Sequence, residues 1–376
     1  MRIALVHDWL ITWRGGEKVL EALLELMPRA ELFTLFHDPA AMPASIERHD
    51  VHTAFVDKLP FARRRHRELL PLLPLAVKTL DLRGFELVVS SSHCVAKAAR
   101  SQGAKHVAYV HAPLRYFWDR FDDYFGAGRA PLPVRVAALA MRPFMQSWDV
   151  KSSRGIDRFI ANSAHVARQI AQRYGERAEV VHPPVELERF TREPLPRGQG
   201  EAFLCFGALA PYKRIDVAIE AFRRNGLPLW VAGAGQLDRA LRRNLPPNVK
   251  WLGAIDDAQL PHVLKSARAL VFPGEEDFGL TPIEAQACGR PVIAFGKGGA
   301  LETVVHEKTG VFFYPQTPDA LARAVFHFVE QLEGRLSPGA MRENALRFSK
   351  AHFFAGMRAQ LDVVAPGWSQ PSPRGS

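Results

Sequence analysis

Cysteine is nearly absent. The 376 residues hold three, Cys94, Cys205 and Cys288, far apart and in no C-x-x-C pair. That excludes a zinc ribbon, a thioredoxin-type redox motif and a disulfide scaffold. Three isolated thiols suit a reducing compartment. No run of eighteen apolar residues occurs, so no transmembrane helix is expected. The opening run Ile3–Val6 is too short for the apolar core of a secretory signal. No G-x-G-x-x-G follows a strand-like run. Gly233-Ala234-Gly235 lacks the third glycine, which disfavours a hydride-transferring dinucleotide enzyme. Acidic residues are also short, 39 against 49 Lys and Arg, for a net charge of +10. The excess points to an anionic partner: nucleic acid, a phosphorylated ligand or an acidic lipid surface. No interleaving of basic and aromatic residues supports nucleic acid.

What is present describes a globular chain, 47% apolar and 23% charged. It is long enough for two domains, because single cores stop growing at ~250–300 residues. Strand-like runs at Ile3–Val6, Glu86–Ser90, His106–Val110 and Asp157–Ala161 alternate with helical stretches such as Glu17–Met27. Asn162-Ser163 can cap a helix that runs to Tyr174 and stops at Gly175. His182-Pro183-Pro184-Val185 cannot be helical, and a Pro/Gly-rich stretch spans Glu193–Gly200. The alternation then restarts, with strands near Phe203–Phe206, Leu229–Ala232, Lys250–Leu252, Arg268–Phe272, Val292–Phe295 and Val311–Phe313. The expected architecture is α/β, with two doubly wound parallel-sheet domains over residues 1–182 and 183–349 facing a central cleft. A C-terminal helix near 350–364 is expected to return to the first domain, and residues 365–376 to be disordered.

The densest segment runs from Phe272 through Pro273-Gly274-Glu275-Glu276-Asp277-Phe278-Gly279-Leu280-Thr281-Pro282-Ile283-Glu284-Ala285. A strand ends at Phe272, an acidic loop follows, and a helix is expected from Pro282. Amides at a helix start can hold a phosphate, and carboxylates beside them suit a ligand with hydroxyls next to its phosphate. Glu284 has two readings: the last member of a capping box Thr281-Pro282-Ile283-Glu284, or a ligand contact. Lys213, in Phe206-Gly207-Ala208-Leu209-Ala210-Pro211-Tyr212-Lys213-Arg214, sits near a helix start. A cation is mildly unfavourable there for the helix and well placed to neutralise a diphosphate leaving group. His7-Asp8-Trp9 and Gly15-Gly16-Glu17-Lys18 follow the first strand. The paired glycines read either as a turn needing positive φ or as backbone that approaches a ligand closely. His111 ends the strand His106–Val110 beside Pro113, as a structural or a reacting-centre histidine; His93 is a weaker candidate.

Glu276-x7-Glu284 within this segment resembles the signature of the retaining GT-B glycosyltransferases of family four. The resemblance extends over roughly residues 1–360 and is nearest to bacterial mannosyltransferases of O-antigen and exopolysaccharide assembly. It implies that Glu276 lies beside the donor sugar and Glu284 holds the nucleotide ribose. It implies amides of Phe278, Gly279, Leu280 and Thr281 on the sugar hydroxyls and diphosphate. Gly207, Lys213 and Arg214 would serve the diphosphate, Gly15 and Gly16 the donor phosphate and acceptor, and His111 the reacting centre. Many relatives carry Arg directly after the first glycine, where this chain has Ala208. Gly298-Gly299-Ala300-Leu301-Glu302 resembles the family's glycine loop that opens a helix. No Asp-x-Asp occurs; the other large glycosyltransferase fold uses that pair to hold a metal. A metal-independent enzyme without a cofactor is the expectation.

Residues 58–84 hold seven Lys/Arg (58, 63, 64, 65, 67, 78, 83) against Glu68 and Asp81. Leu69, Leu70, Leu72, Leu73, Leu75 and Val77 lie among them, and Pro71 and Pro74 exclude one continuous helix. The segment reads as a surface for anionic lipid or as a solvated basic helix followed by a buried turn. Lipid-linked acceptors, common in the similar enzymes, favour the first. The whole implies a hexosyltransferase that takes GDP-mannose or another nucleotide diphosphate sugar to a glycan or polyprenyl-linked oligosaccharide. It would work in the cytoplasm, on the inner face of the membrane. The rivals are another GT-B activity (an epimerase or hydrolase of nucleotide sugars) and a non-catalytic nucleotide-sugar-binding or scaffold protein.

Overall fold

The computed structural model describes every residue except 101–102, 193, 195–197, 199 and 371–376. It divides into two units, Met1–Pro184 with Lys350–Ser376, and Val185–Ser349. The unit boundary falls at the Pro183-Pro184 pair. Five residues of the Pro/Gly-rich stretch 193–200 lie outside the described residues.

The first unit carries a seven-stranded sheet built from β1 (Ile3–His7), β2 (Glu31–Thr34), β3 (Val51–Thr53), β4 (Leu87–Ser92), β5 (Lys105–Val110), β6 (Arg158–Ala161) and β7 (Ala178–Val180). Its order is β3-β2-β1-β4-β5-β6-β7, and every pairing is parallel. β1 and β4 are buried along their whole length, as a sheet covered on both faces requires. One core, with Phe33, Leu73, Val88 and Met145, lies apart from a second, with Leu5, Leu20, Tyr109 and Phe353. Helix α1 (Gly15–Leu26) buries Val19, Leu20, Leu23 and Leu24 at helical spacing. Helix α2 (Leu132–Ser152) follows a loop-rich stretch. Helix α3 (Ala164–Tyr174) is capped by Ser163, whose hydroxyl accepts from the Val166 amide, and stops at Gly175 in the left-handed region.

The C-terminal helix Lys350–Val364 packs Phe353, Met357 and Leu361 into the core that holds β1 and β5. Gly356 permits that approach, since a Cβ there would meet Val181 at 3.0 Å. The tail corrects one expectation. Ala365 and Trp368 are buried in the same core, and Arg29 donates to the Ser369 carbonyl. Pro, Gly and Ser content suggested disorder, but one large indole that can be buried outweighs it. Residues 371–376 lie outside the described residues.

The basic segment splits its leucines. Leu70, Leu73 and Val77 enter the core, whereas Leu72 and Leu75 stay exposed. Two 3-10 stretches, His66–Leu72 and Val77–Thr79, flank a single α turn at Leu73–Ala76. Its cations are mostly engaged: Arg63 bonds Asp57, Arg65 bonds Glu68, Arg83 bonds Asp81, and Arg67 lies 5.6 Å from the Tyr124 ring centre.

The second unit repeats the plan with β8 (Ala202–Phe206), β9 (Leu229–Ala232), β10 (Val249–Gly253), β11 (Ala267–Phe272), β12 (Val292–Phe295) and β13 (Gly310–Phe313). The order is β10-β9-β8-β11-β12-β13, again all parallel. Helices α4 (Ile215–Asn225) and α5 (Leu280–Ala287) follow β8 and β11. In each sheet the strand order reverses at one place, between β1 and β4 and between β8 and β11. Ligands of such sheets bind outside the carboxyl ends of the strands at that reversal.

Candidate active site

The reversal in the second unit holds the residues singled out around Lys213 and Glu276. β8 ends at Phe206, and Gly207 follows with φ 149°. The Lys213 side chain lies over this glycine, where a Cβ would meet its Nζ at 3.6 Å. A 3-10 turn at Pro211–Lys213 and a left-handed Arg214 (φ 50°) turn the chain into α4. Lys213 Nζ donates to Glu276 Oε1, and both side chains are largely buried. Burial opposes the Lys213 charge, but the Glu276 carboxylate and Tyr212 offset it and raise the ammonium above its ordinary value. Arg214 turns elsewhere: its guanidinium bonds Asp216 and, at 3.2 Å, Gln316. Gln316 also donates to the Pro273 carbonyl and so ties the Lys213 turn to the acidic loop. Nothing in the sequence marked Gln316, which arrives from the loop after β13.

Glycines fix the acidic loop by letting backbone approach backbone. A Cβ on Gly274 would fall 2.7 Å from the Tyr212 carbonyl oxygen. One on Gly298 would fall 2.4 Å from the Glu276 oxygen, and one on Gly299 2.2 Å from the Phe278 oxygen. The Gly299 amide donates to the Glu276 carbonyl at 2.8 Å, and Lys297 pairs with Glu275 at 3.0 Å. The glycine pair therefore buttresses the acidic loop as well as opening the short helix Ala300–Thr303. Gly233 and Gly235 pack against Gly207 and Leu209 in the same manner.

The capping-box reading of Glu284 does not hold. Helix α5 starts at Leu280 with Gly279 (φ 88°) as its N-cap, so Pro282 is the third helical residue and Glu284 lies a turn inside. Phe278 explains the shift: it is buried and packs edge-to-face on Phe348, which pins the chain just before the helix. Leu280 and Thr281 thus supply first-turn amides, whose hydrogens have no partner within the helix. Glu284 is 9% exposed.

The reversal in the first unit gathers a second cluster. His7 Nδ1 and His111 Nε2 lie 3.1 and 2.8 Å from one hydroxyl, Ser91 Oγ. His7 Nε2 stands 4.0 Å from Glu17 Oε1. Asp8 accepts four backbone N–H groups, from His93, Cys94, Val95 and Ala96, at 2.6–2.9 Å. Its carboxylate shapes the loop after β4 and holds His93, whose Nδ1 is 3.3 Å away. The Asn162 amide holds the His111 carbonyl at 3.1 Å. Burial, then the neighbouring histidines and Arg115, keep His111 neutral well below the usual imidazole range. His93 is held neutral in the same way, with burial foremost.

Gly15 and Gly16 open α1 and adopt no positive φ, so the turn reading is set aside. A Cβ on Gly16 would sit 3.9 Å from the His7 ring. Glu17 reaches back to the Arg14 amide at 2.9 Å while its other oxygen faces His7. The sequence marked His111 as a reacting-centre candidate here, with His93 as a weaker one. Ser91 and Asp8 become legible only once β1, β4 and β5 lie side by side.

Two known families match parts of the chain. The family described as Glycosyltransferase Family 4 matches residues 13–189, and the family described as Glycosyl transferases group 1 matches residues 188–346. A D-inositol 3-phosphate glycosyltransferase of Geodermatophilus obscurus is 32% identical over half of this chain and 48% of its own length. A GDP-mannose-dependent alpha-(1-6)-phosphatidylinositol monomannoside mannosyltransferase of Mycobacterium tuberculosis is 27% identical over 54% of this chain and 60% of its own length. The chain therefore spans about half the length of such relatives. The crystal structure of Anabaena HepE with UDP and glucose superposes with a TM-score of 0.71 at 18% identity, over 96% of this chain and all of that one. The fold is GT-B, with two Rossmann-like domains, and each family model covers less than half of this chain.

Proposed function

We propose that the chain is a retaining hexosyltransferase that moves a sugar from a nucleotide diphosphate donor to a glycan hydroxyl. One observation carries the reading: Lys213 and Glu276, from the loops after β8 and β11, meet at the strand-order reversal. The diphosphate gains negative charge as the glycosidic bond breaks. The Lys213 ammonium, held charged within a largely buried site, stabilises that charge. The first-turn amides of α5, with Gly279 before them, add dipoles of the same sign. Glu284 takes the ribose hydroxyls. Glu276 is already bonded to a cation, which lowers its nucleophilicity. Its role is to orient Lys213 and the donor sugar rather than to attack. The departing diphosphate accepts the acceptor proton on the same face. His111, neutral and fixed through Ser91, serves as a hydrogen-bonding group toward sugar hydroxyls.

GDP-mannose is the favoured donor, supported by the named activity of the mycobacterial relative. UDP-glucose is the rival, supported by the ligands of the Anabaena protein. The proposed acceptor is a glycan, polyprenyl-linked in a surface-polysaccharide pathway, met at an anionic membrane surface from the cytoplasmic side. The test is a panel of nucleotide sugars, screened by thermal shift and then assayed for transfer to lipid-linked oligosaccharide. Transfer from one donor, persisting in excess EDTA, is expected. Hydrolysis or epimerisation without acceptor, or loss of turnover with EDTA and recovery with Mg²⁺, contradicts the proposal.

A further inference from the structure

Helix α2 (Leu132–Ser152) has a satisfied inner face and an apolar outer one. Ala138, Met145 and Asp149 are buried, with Met141 and Trp148 packed against the same core. Lys97 Nζ meets Asp149 Oδ1 at 2.7 Å, and Trp118 and Tyr174 donate to its other oxygen. Arg142 and Gln146 donate to the Phe117 carbonyl. The helix is thus anchored along one side, and nothing on that side calls for an apolar exterior.

The opposite side shows Leu132 (67% exposed), Val136 (57%), Leu139 (54%) and Phe144 (63%). Leu132, Val136 and Leu139, four and three residues apart, lie on one stripe, and Phe144, five residues further on, flanks it. Ala137, Ala140 and Pro143 fill the gaps, so the stripe carries no charge. Contiguous exposed apolar faces of this kind mark an interaction surface. Charge selects the partner. Between residues 126 and 155 stand five basic residues, Arg129, Arg135, Arg142, Lys151 and Arg154, and one acid, Asp149. That acid is buried on Lys97 and presents nothing outward. An apolar stripe flanked by cations alone is the pattern of a helix that lies in the interface of an anionic bilayer.

We propose that α2 is a lipid-docking helix, seated by Leu132, Val136, Leu139 and Phe144 in the headgroup–acyl boundary of an anionic membrane. This deepens the membrane part of the proposed function but does not depend on sugar transfer. The cations of residues 58–84, largely paired within the protein, then have a secondary part. No helix among the described residues is long and apolar enough to cross a membrane, so α2 would lie on the surface. Docking there would hold the first unit where a lipid-linked acceptor is presented.

The test compares wild type with the triple variant Val136→Ser, Leu139→Ser, Phe144→Ser. Co-sedimentation is measured with vesicles of pure phosphatidylcholine and of phosphatidylcholine with phosphatidylglycerol. All three positions are exposed, so melting temperature and donor binding should be unchanged. Wild type should pellet with the phosphatidylglycerol vesicles, and the variant should bind about tenfold more weakly. Equal pelleting of the two proteins, or no pelleting of wild type, overturns the proposal. So does a wild-type dimer that the variant turns into a monomer by light scattering, since the stripe would then be a contact between copies. Donor binding in the same samples separates failure of this inference from failure of the transferase reading.

Discussion

Lys213 donates to Glu276 across a sequence separation of 63 residues, and both side chains are largely buried. Within the pair the Glu276 carboxylate balances the Lys213 ammonium. Glu276→Gln keeps the shape but leaves the ammonium without its anion. We expect a stability loss of about 1–3 kcal/mol, the cost of an unpaired, largely buried charge. A nucleoside diphosphate should raise the melting temperature of this variant more than that of wild type, because it replaces the lost anion. Transfer should fall by roughly 10²–10³-fold, as when one group that stabilises a transition-state charge is removed. Wild-type turnover in the variant would remove Glu276 from the mechanism.

Ser91 joins His7 to His111 through one hydroxyl. Ser91→Ala leaves two buried ring nitrogens without that partner. It should cost about 1–3 kcal/mol by chemical denaturation and lower kcat more than KM. Ser91→Thr, which restores the hydroxyl, should recover part of kcat. A variant with unchanged kcat would make the His7–Ser91–His111 contacts purely structural.

Gly299 admits the Phe278 carbonyl where a side chain would stand. Gly299→Ala should push the acidic loop away from its support. Donor binding should weaken and the melting temperature should fall, measured by calorimetry and thermal scan on the same sample. Unchanged donor affinity would show that the loop is held by other contacts.

Buried histidines set a pH dependence. His106, bonded to Ser90 at 2.9 Å, is lowered by burial from 6.5 to about 4. A folded-state value below the unfolded one means that the unfolded chain binds the proton first. The stabilisation is therefore complete above pH 6.5 and is lost as pH falls toward 4. His106 alone accounts for up to roughly 3 kcal/mol across that window. His66, also lowered to about 4 chiefly by burial, adds in the same direction. The melting temperature should drop between pH 7 and pH 4.5, and less steeply in His106→Gln. Parallel curves for the two proteins would contradict this assignment.

Strands buried on both faces were legible because their apolar runs are continuous. β8–β13 each cover or overlap the expected runs within a residue or two. β2, β3 and β7, with four, three and three residues, were not, since short strands beside the continuous runs carry little pattern of their own. In the site, Lys213, Glu276 and Glu284 stood out by charge against helix starts and strand ends. Ser91, Asp8 and Gln316 did not, because their roles come from strand adjacency that no local window contains. The start of α5 was misplaced by two residues because proline at the first helical position outweighed glycine at the cap. The docking stripe on α2 was missed for a related reason: an apolar residue in sequence reads as core until its exposure is known.

The central claim is that the reversal between β8 and β11 binds a diphosphate through Lys213. Calorimetric titration of a nucleoside diphosphate into wild type and Lys213→Ala, without metal, tests it most directly. Binding to wild type and a loss of about tenfold or more in the variant are expected, the size of one charge-assisted contact. Equal affinity in the two proteins, or no binding to either, would contradict it.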